Sequence, residues 1–424
     1  MLHLNQGFER ERERELKALP HNPLTNKNKG FTLVELLIVI SILAALAAAV
    51  VVVINPAEML RQARDSTRMG NIGTLHRTLS MFQIDRPADS MGLPNRIHIS
   101  IPDTSEYCAN LGLPPIPGWV YRCVPAANLR NIDGTGWIPI NFTTMSRGSP
   151  LASLPVDPVN TVASSNFYVF VTDGRTWTLA SLMESERHAP SAGRDGGTDF
   201  ARFEVGNNLA LWTTASGLVG YWSFDEGTGI TANDLSRRGN TGTLINNPTW
   251  TTGRVGGALS FDGVDDRVDV SDATSLRDLE IFTLMGWWYS DPSLNATWPM
   301  WIQKGEWAGR GWTVYAGDGQ AASQPHLWML FGSDTGGIRA TSIIPITTRD
   351  WTHVTFIINR VENWSEAYNN GVLIGRFSPL PAYHSTTRSL RFGERNLGGL
   401  IDEVRIYNRA LSAVEVMANF NATR

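Results

Sequence analysis

A long apolar segment near the start of the chain reads FTLVELLIVISILAALAAAVVVVI from Phe31 to Ile54. Glu35 is its only charged residue. A helix of this length extends about 36 Å, which is enough to cross a bilayer. The polar segment 1–30 holds six Lys or Arg residues, and basic residues flank the cytoplasmic end of a membrane span. We therefore expect residues 31–54 to form a transmembrane helix in the cytoplasmic membrane, with the C-terminus outside.

A second, amphipathic helix is predicted after the apolar segment. Asn55 and Pro56 end the apolar run, and a proline within a helix removes a hydrogen bond and bends the helix. Apolar residues then recur at spacings of three and four over 55–86, which predicts one apolar face. That face comprises Leu60, Ala63, Ile72, Leu75, Leu79 and Phe82. The charged residues expected on a solvated or subunit-facing surface are Arg61, Arg64, Asp65, Arg68 and Arg77.

Residues 87–212 consist of short runs separated by Gly, Pro and Asn, with alternating strand-like segments at 166–171 and 176–180. This pattern predicts a small antiparallel sheet that packs on the second helix. Cys108 and Cys123 are the only cysteines and lie fifteen residues apart. Because disulfides persist outside the cell, we predict that the two form a structural disulfide, which stabilises a loop of this length by about 3 kcal/mol.

From residue 217 the pattern changes to short β segments that are separated by Gly, Asp and Asn turns. This region holds eleven of the fifteen Trp residues, and no amphipathic helix of useful length is expected in it. The pattern predicts an all-β sandwich over 217–424. We place the linker between the two globular parts at 213–216.

Composition and charge narrow the classes of function. Charged residues make up 18% of the chain and hydrophobic residues 42%, which excludes a disordered chain and a polytopic membrane protein. The net charge is −4, so no nucleic-acid partner is expected. Neighbouring acids on a strand point to opposite faces, so the pairs at 225–226, 265–266 and 402–403 do not form the carboxylate pair of a glycosidase. Without a nucleophile motif or phosphate loop, we predict that the protein is not an enzyme.

The residues at the start of the apolar segment form a specific motif. A charged leader precedes Gly30-Phe31-Thr32-Leu33-Val34-Glu35, and an uninterrupted apolar run follows. This arrangement resembles the processing site of type IV pilins and of the pseudopilins of type II secretion. The resemblance implies that prepilin peptidase cleaves after Gly30 and that the new N-terminal residue, Phe31, is methylated. It also implies that the freed amine pairs with Glu35 of a neighbouring subunit, because an ion pair offsets the desolvation of both charges.

The pilin resemblance implies an α+β fold in which a long helix, bent near Pro56, packs on a small antiparallel sheet. This sheet belongs to the pilin-like globular head, residues 87–212. Other pilin subunits, prepilin peptidase and the inner-membrane assembly platform are the implied partners. Some major pseudopilins hold calcium in a loop of the head, and the similar segment here contains Asp157. An aspartate before proline is also a common turn residue, so both roles stay open. A plain membrane anchor is the alternative for 31–54, but it leaves Glu35 without a partner.

The C-terminal segment carries a second resemblance. Its motifs, in order, are GLVGYWSFDEGTG at 217–229, GGALSFDG at 256–263, FTLMGWW at 282–288, WTHVTF at 351–356 and GLIDEVRIYNRALS at 399–412. The series resembles laminin-G-like, concanavalin-A-like jelly-roll domains. Many relatives hold one structural calcium ion, and the matching aspartates here are Asp234 and Asp402. The Gly239-Asn240 turn is able to add carbonyl oxygens, which suit calcium. These residue types also stabilise turns and strand ends, which leaves both roles open.

The segment 298–312 concentrates four tryptophans among glycines. Indole rings present apolar area with a polar edge, which suits the recognition of sugars or proteins. The candidate ligand contacts are Trp298, Trp301, Trp307 and Trp312.

The two resemblances together imply an α+β pilin fold followed by an all-β jelly-roll sandwich. They also imply that the protein is a subunit of a bacterial cell-surface filament and that it adheres to glycans or surface proteins. A pseudopilin with a structural extra domain and a surface-anchored carbohydrate-active enzyme are the alternatives.

Overall fold

A computed structural model describes residues 32–116, 118–197, 199, 201–291, 299–305, 310–317, 326–332, 338–347, 349–380, 386–394 and 397–424. The chain divides into two compact units, Met1–Pro56 and Ala57–Arg424. The first unit carries an N-terminal helix. The second carries further helices and, among the described residues, three β-sheets.

Helix α1 spans Leu33–Ile54, as the apolar run predicts, and its side chains as far as Leu43 are exposed. The helix ends before Asn55, whose φ of 42° lies in the left-handed region, and Pro56 is the first residue of the next helix. Proline is favoured at that position because the first N–H groups of a helix have no partner within it. Within the described part of the chain, no helix is both long and apolar enough to cross a membrane.

Helix α2 spans Pro56–Asp85 and shares its core with a five-stranded sheet. The strands of this sheet are β1 Arg96–Ile99, β2 Val120–Arg122, β3 Tyr168–Thr172, β4 Trp177–Leu182 and β5 Arg202–Gly206. Their order is β2-β1-β3-β4-β5, and the pair β1–β2 is parallel whereas the other pairs are antiparallel. Leu75 and Phe82 of α2 lie in one apolar cluster with Tyr168 of β3 and Trp177 of β4. The core of the head therefore lies between α2 and the sheet.

The start of α2 differs from the predicted pattern. The later residues of the apolar face are buried, namely Ile72, Leu75, Leu79 and Phe82. Leu60 and Ala63 are exposed, and the first buried residue of the helix is Asp65. The expectation that Asp65 and Arg68 face solvent is wrong, because both are fully buried. Arg68 pairs with Asp65 and with Asp157 of the head.

Two eight-stranded antiparallel sheets form the C-terminal sandwich among the described residues. The first contains β6 Leu218–Trp222, β9 Thr249–Thr252, β10 Gly257–Asp262, β12 Ile281–Ser290, β17 Trp351–Asn359, β18 Trp364–Asn369, β19 Val372–Phe377 and β21 Gly398–Tyr407. The second contains β7 Thr231–Ala232, β8 Gly242–Ile245, β11 Arg267–Val270, β13 Met300–Gly305, β14 Gly311–Ala316, β15 His326–Gly332, β16 Ile338–Pro345 and β20 Leu390–Glu394. The first has the order β19-β18-β17-β12-β21-β10-β9, with β6 also paired to β21. The second has the order β16-β15-β14-β13-β20-β11-β8-β7.

One apolar core fills the space between these two sheets. It joins Leu284 and Val404 of the first sheet to Val268 and Phe392 of the second. Trp222 of the first sheet reaches across and packs edge to face on the ring of Phe392, with ring centroids 4.9 Å apart. The sandwich is the jelly-roll-type architecture that the sequence predicts.

A terminal helix that the sequence pattern does not predict follows the last strand. Helix α5 spans Ala413–Thr423. It begins with a capping box: the Ser412 hydroxyl accepts from the N–H of Glu415, and the Glu415 carboxylate accepts from the N–H of Ser412. A serine followed three residues later by a glutamate is a readable helix start. The expectation of no useful helix in this region is therefore wrong.

Helix α5 packs on the head. Its residue Ala418 shares a small apolar cluster with Leu182 and Ala201 of the head. Two further short helices of the head are α3 Ala189–Ala192 and α4 Ala210–Ala215. Most of the segment 213–216, where we place the linker, thus lies in α4.

Candidate functional site

The N-terminal site is described from Thr32 onward, since Gly30 and Phe31 lie outside the described residues. The hydroxyl and the N–H of Thr32 donate to the Glu35 carboxylate at 2.8 and 2.9 Å. The N–H of Glu35 in turn donates to the Thr32 hydroxyl at 3.1 Å. Glu35 is exposed, so its charge caps the start of α1 while remaining accessible to an amine.

The two cysteines of the head form a disulfide. Cys108 and Cys123 are bonded, with their Cα atoms 5.3 Å apart, and both are buried. They share an apolar cluster with Ile97 and Val169 of the sheet, and Trp119 packs partly buried against it. The bond therefore ties the loop 108–123 to the sheet.

Asp157, a candidate calcium ligand, is part of a buried charge cluster instead. Its two carboxylate oxygens accept from Nε and Nη2 of Arg68 at 2.7 and 3.0 Å. The N–H of Val159 donates to it as well, at 2.8 Å. Asp65 and Glu184 also pair with Arg68. Because the guanidinium already balances the charge of Asp157, this carboxylate joins the head to α2 and does not offer a free ligand to a metal.

Two of the three predicted calcium ligands of the sandwich organise a turn. The Asp234 carboxylate accepts from the N–H groups of Tyr221, Ser236 and Asn240 at 3.1, 2.9 and 2.8 Å. These bonds occupy three of its roughly four lone-pair positions. The side-chain amide of Asn240 donates to the carbonyl of Val219 at 2.7 Å. Asp234 and Asn240 thus hold the turn 234–240 against β6.

The third predicted ligand, Asp402, lies in a buried acidic pair. One of its oxygens accepts from the N–H of Val255 at 2.9 Å, and the other has no hydrogen-bond partner among the described residues. Burial, with the neighbouring charge of Glu403, raises the pKa of Asp402 well above its ordinary value. Glu403 accepts from the hydroxyl of Tyr221 at 3.1 Å and pairs with Arg405. Of the three predicted residues, only Asp402 has an oxygen without a hydrogen-bond partner among the described residues, while Asp234 and Asn240 are engaged in hydrogen bonds.

Asp402→Asn tests the protonation of this carboxylate. The pKa of Asp402 is raised in the folded protein, so this carboxyl group contributes fully to the free energy of unfolding below about pH 4. The contribution decreases as the pH rises through the pKa of Asp402 in the folded state. Asparagine cannot ionise, so we expect the variant to raise the free energy of unfolding at pH 8 by about 1 kcal/mol or more, with little change at pH 4. Urea unfolding at both pH values measures this difference.

Asp234→Asn is the matched control for that experiment, since the Asp234 carboxylate accepts from three backbone N–H groups and the amide would lose part of this acceptance. We expect it to destabilise the protein at pH 8. Equal destabilisation by Asp402→Asn and Asp234→Asn would show that Asp402 is charged and partnered in the folded state.

The structure corrects the interpretation of two tryptophans as ligand contacts. Trp301 is fully buried and Trp312 is 4% exposed. Trp312 stacks on Phe282 within the sandwich core, with ring centroids 5.5 Å apart. Neither ring can therefore contact a ligand at the surface. Trp298 and Trp307 lie outside the described residues.

A cavity of about 190 Å³ that sequence reasoning does not predict lies between the head and the sandwich. Its wall includes Arg202 and Trp212 of the head and Arg409 and Glu415 of the sandwich. The guanidinium of Arg202 is buried, lies 5.4 Å from the ring of Trp212, and has two nitrogens without a hydrogen-bond partner among the described residues.

Comparison with known families identifies both ends of the chain. Residues 25–51 match the model of the prokaryotic N-terminal methylation motif. Residues 262–417 match the model of the concanavalin A-like lectin/glucanases superfamily. The chain therefore joins these two modules, which confirms the predicted fusion. The first match suggests a type IV pilin-like protein, and the second is to a superfamily that comprises lectins and glucanases.

Solved structures similar to the chain include two toxin binding domains and a carbohydrate-active enzyme's domain. The binding domain of Paraclostridial Mosquitocidal Protein 1 is 19% identical, with a TM-score of 0.39, and the match covers 48% of this chain and 52% of that one. The botulinum neurotoxin serotype D binding domain is 13% identical, with a TM-score of 0.39 and coverages of 48% and 51%. This chain thus spans about half the length of those two domains.

Domain 4 of AbnA, a GH43 extracellular arabinanase from Geobacillus stearothermophilus that was solved in complex with arabinotriose, is 19% identical. Its TM-score is 0.38, and the match covers 48% of this chain and 97% of that domain. No curated protein sequence matches the chain.

Proposed function

We propose that this protein is a pilin-like subunit of a bacterial cell-surface filament, and that its sandwich adheres to glycans or surface proteins. The observation that carries the proposal is the presence, in one chain, of an N-terminal methylation motif and a concanavalin A-like domain. The head and the sandwich also lie in one compact unit, so a head held in a filament would carry the sandwich with it. In the alternative, a pseudopilin of a type II secretion-like machine, the sandwich would serve only as a spacer.

The proposed precursor is anchored in the cytoplasmic membrane by residues 31–54, with its C-terminus outside. Prepilin peptidase cleaves it after Gly30, and Phe31 becomes the methylated N-terminal residue. The assembly platform then adds the subunit to the filament, where the amine of Phe31 pairs with Glu35 of a neighbouring subunit. Peptide mass spectrometry of surface filaments tests the cleavage, and a chain that still begins at Met1 in that fraction would contradict it.

Glu35→Gln is expected to lower the incorporation of the subunit into surface filaments at least tenfold, because an amide cannot pair with the N-terminal amine of a neighbour. Membrane insertion should persist, since a neutral side chain is less costly to insert than a carboxylate. Quantitative immunoblots of sheared filaments and of membranes measure the two quantities. Ser41→Ala, which removes another polar side chain from α1, serves as the control and should assemble normally. Normal assembly of Glu35→Gln would rule out the pairing.

We propose that the sandwich binds its ligand without catalysis. The buried position of the adjacent acids Asp402 and Glu403 supports this, because both are enclosed in the protein and Glu403 is engaged by Tyr221 and Arg405. A glycosidase requires two carboxylates on opposite sides of an accessible glycosidic bond. Incubation of the protein with any glycan that it binds should leave that glycan uncleaved.

The adhesive role is tested by screening the full chain in detergent against glycan and matrix-protein arrays, with calcium and with chelator. We expect saturable binding to a defined class of glycan or surface protein, with competition by the same ligand in solution. Absence of any saturable binding under both conditions would contradict adhesion and favour the spacer role.

A further inference from the structure

A turn of the sandwich brings three carboxylates together. Strands β10 and β11 are joined by the segment 263–266, and Asp262 is the last residue of β10. Asp262, Asp265 and Asp266 each place one oxygen within 4.8 Å of the other two. The turn lies outside the set of residues that the family resemblance associates with calcium.

The three charges in this turn are not balanced by the protein. Among the described residues, no basic side chain forms an ion pair with any of the three. The nearest basic residue in sequence, Arg267, pairs instead with Asp269 at 3.3 Å, and Arg391 pairs with Asp269 as well at 3.1 Å. Like charges at this separation repel, and the repulsion is stronger where a group is withdrawn from water.

Asp266 provides a second, independent observation. It is only 5% exposed, although an aspartate is rarely buried without a partner. One of its oxygens accepts from the N–H of Asp262 at 3.0 Å. The other is buried and has no hydrogen-bond partner in the described part of the chain. A buried carboxylate oxygen without a donor is costly unless the carboxyl group is protonated or a cation meets it.

The turn is held in shape by hydrogen bonds that do not use the free oxygens. The N–H of Gly263 donates to the carbonyl of Leu397 at 2.9 Å. The side-chain amide of Asn246 donates to the carbonyl of Asp265 at 3.1 Å. The backbone that carries the three acids is therefore fixed from both sides, which lowers the cost of ordering it around an ion.

We propose that Asp262, Asp265 and Asp266 bind a hard divalent cation, calcium, in the β10–β11 turn. Carboxylate oxygens without histidine or cysteine are the ligand set of such an ion. Asp262 and Asp265 are exposed, so water completes the coordination. A site this open belongs with the weak sites of extracellular modules, with a Kd of about 10⁻⁴–10⁻³ M.

Calcium titration of the full chain in detergent, by isothermal calorimetry after treatment with chelator, tests the proposal. We expect saturable binding in that range. Asp265→Asn changes an exposed side chain and should fold normally, and it should weaken calcium binding at least tenfold. Asp266→Asn should weaken it by a similar or larger factor. Asp269→Asn, which removes a paired carboxylate from β11, should bind calcium as the unaltered chain does.

Two results would overturn the site. One is the absence of saturable binding up to 10-fold above the upper end of the expected range. The other is unchanged binding by the variant that carries both Asp265→Asn and Asp266→Asn, which would place the ion elsewhere. Because calcium binding is measured without any glycan, its failure is distinct from a failure of the proposed adhesive function.

Discussion

Arg68→Met is expected to lower the free energy of unfolding of the head by about 3–5 kcal/mol, because it leaves buried carboxylates without their cation. Arg68 donates to Asp65 and to Asp157 at 2.7 Å, and the side chains of all three residues are fully buried. The same guanidinium pairs with Glu184, which connects α2 to the end of β4. Its loss would therefore weaken the attachment of the helix to the head.

Urea unfolding followed by tryptophan fluorescence measures this effect, since Trp137 and Trp177 lie in the core of the head. The control is Arg86→Met: Arg86 pairs with Asp89 at the end of α2, and both side chains are exposed. An exposed ion pair of this kind contributes little to the free energy of unfolding, so Arg86→Met should unfold at the same urea concentration as the unaltered chain. Arg68→Lys should lie between the two, because lysine keeps the charge but not the two-pronged contact with Asp157. Equal stability of Arg68→Met and Arg86→Met would contradict the role of the buried cluster.

Arg409→Met is expected to cost about 3 kcal/mol and to loosen helix α5 from the rest of the chain. Arg409 is buried and donates to the carbonyl of Ser216 at 2.7 Å and to both oxygens of Glu415 at 2.8 and 3.1 Å. It thus joins the segment that enters the sandwich to the helix that ends it. Hydrogen exchange should become faster in α5 and remain unchanged in strands β12 and β17.

The ion pair of Arg409 with Glu415 predicts that the stability of the protein depends on pH. Burial alone would raise the pKa of Glu415, but the charge and hydrogen bonds of Arg409 outweigh it and lower the pKa to about 2. The contribution of Glu415 to stability is therefore complete above about pH 4.5 and is lost as the pH falls towards 2. We expect this loss to be much smaller in Arg409→Met. The control is Arg424→Met, which removes an exposed partner of Glu186 and should lose as much stability towards pH 2 as the unaltered chain does. An equally large loss in Arg409→Met would contradict the claim that Arg409 lowers the pKa of Glu415.

Features that depend on residues close in sequence could be predicted. The apolar run predicts α1, and Pro56 marks the change to the next helix because proline is tolerated only in the first turn. The alternating segments at 166–171 and 176–180 correspond to β3 and β4, since side chains alternate between the two faces of a strand. The paired cysteines also lie close enough in sequence for their bond to be expected.

Features that depend on residues far apart in sequence could not be predicted. Asp65 and Arg68 have the pattern of a solvated helix surface, and their burial depends on Asp157, which is 89 residues from Arg68. Trp301 and Trp312 are in strands whose residues are all buried, so neither alternation nor composition distinguishes ring burial from display. In the same way, one oxygen of Asp402 accepts from the N–H of Val255, which lies 147 residues away, and this contact could not be predicted from neighbouring residues.

The attachment of α5 to the head, and of Arg409 to the segment 213–216, determines how a filament could use many copies of the sandwich. A domain on a flexible tether searches a volume, and its effective concentration depends on the length of the tether. Here the segment 213–216 lies mostly within α4, and both Thr213 and Ser216 are buried. The distance between neighbouring binding sites would then equal the spacing of subunits along the filament. Avidity would be greatest for surfaces whose ligands repeat at that same interval, and small for ligands that are scattered irregularly.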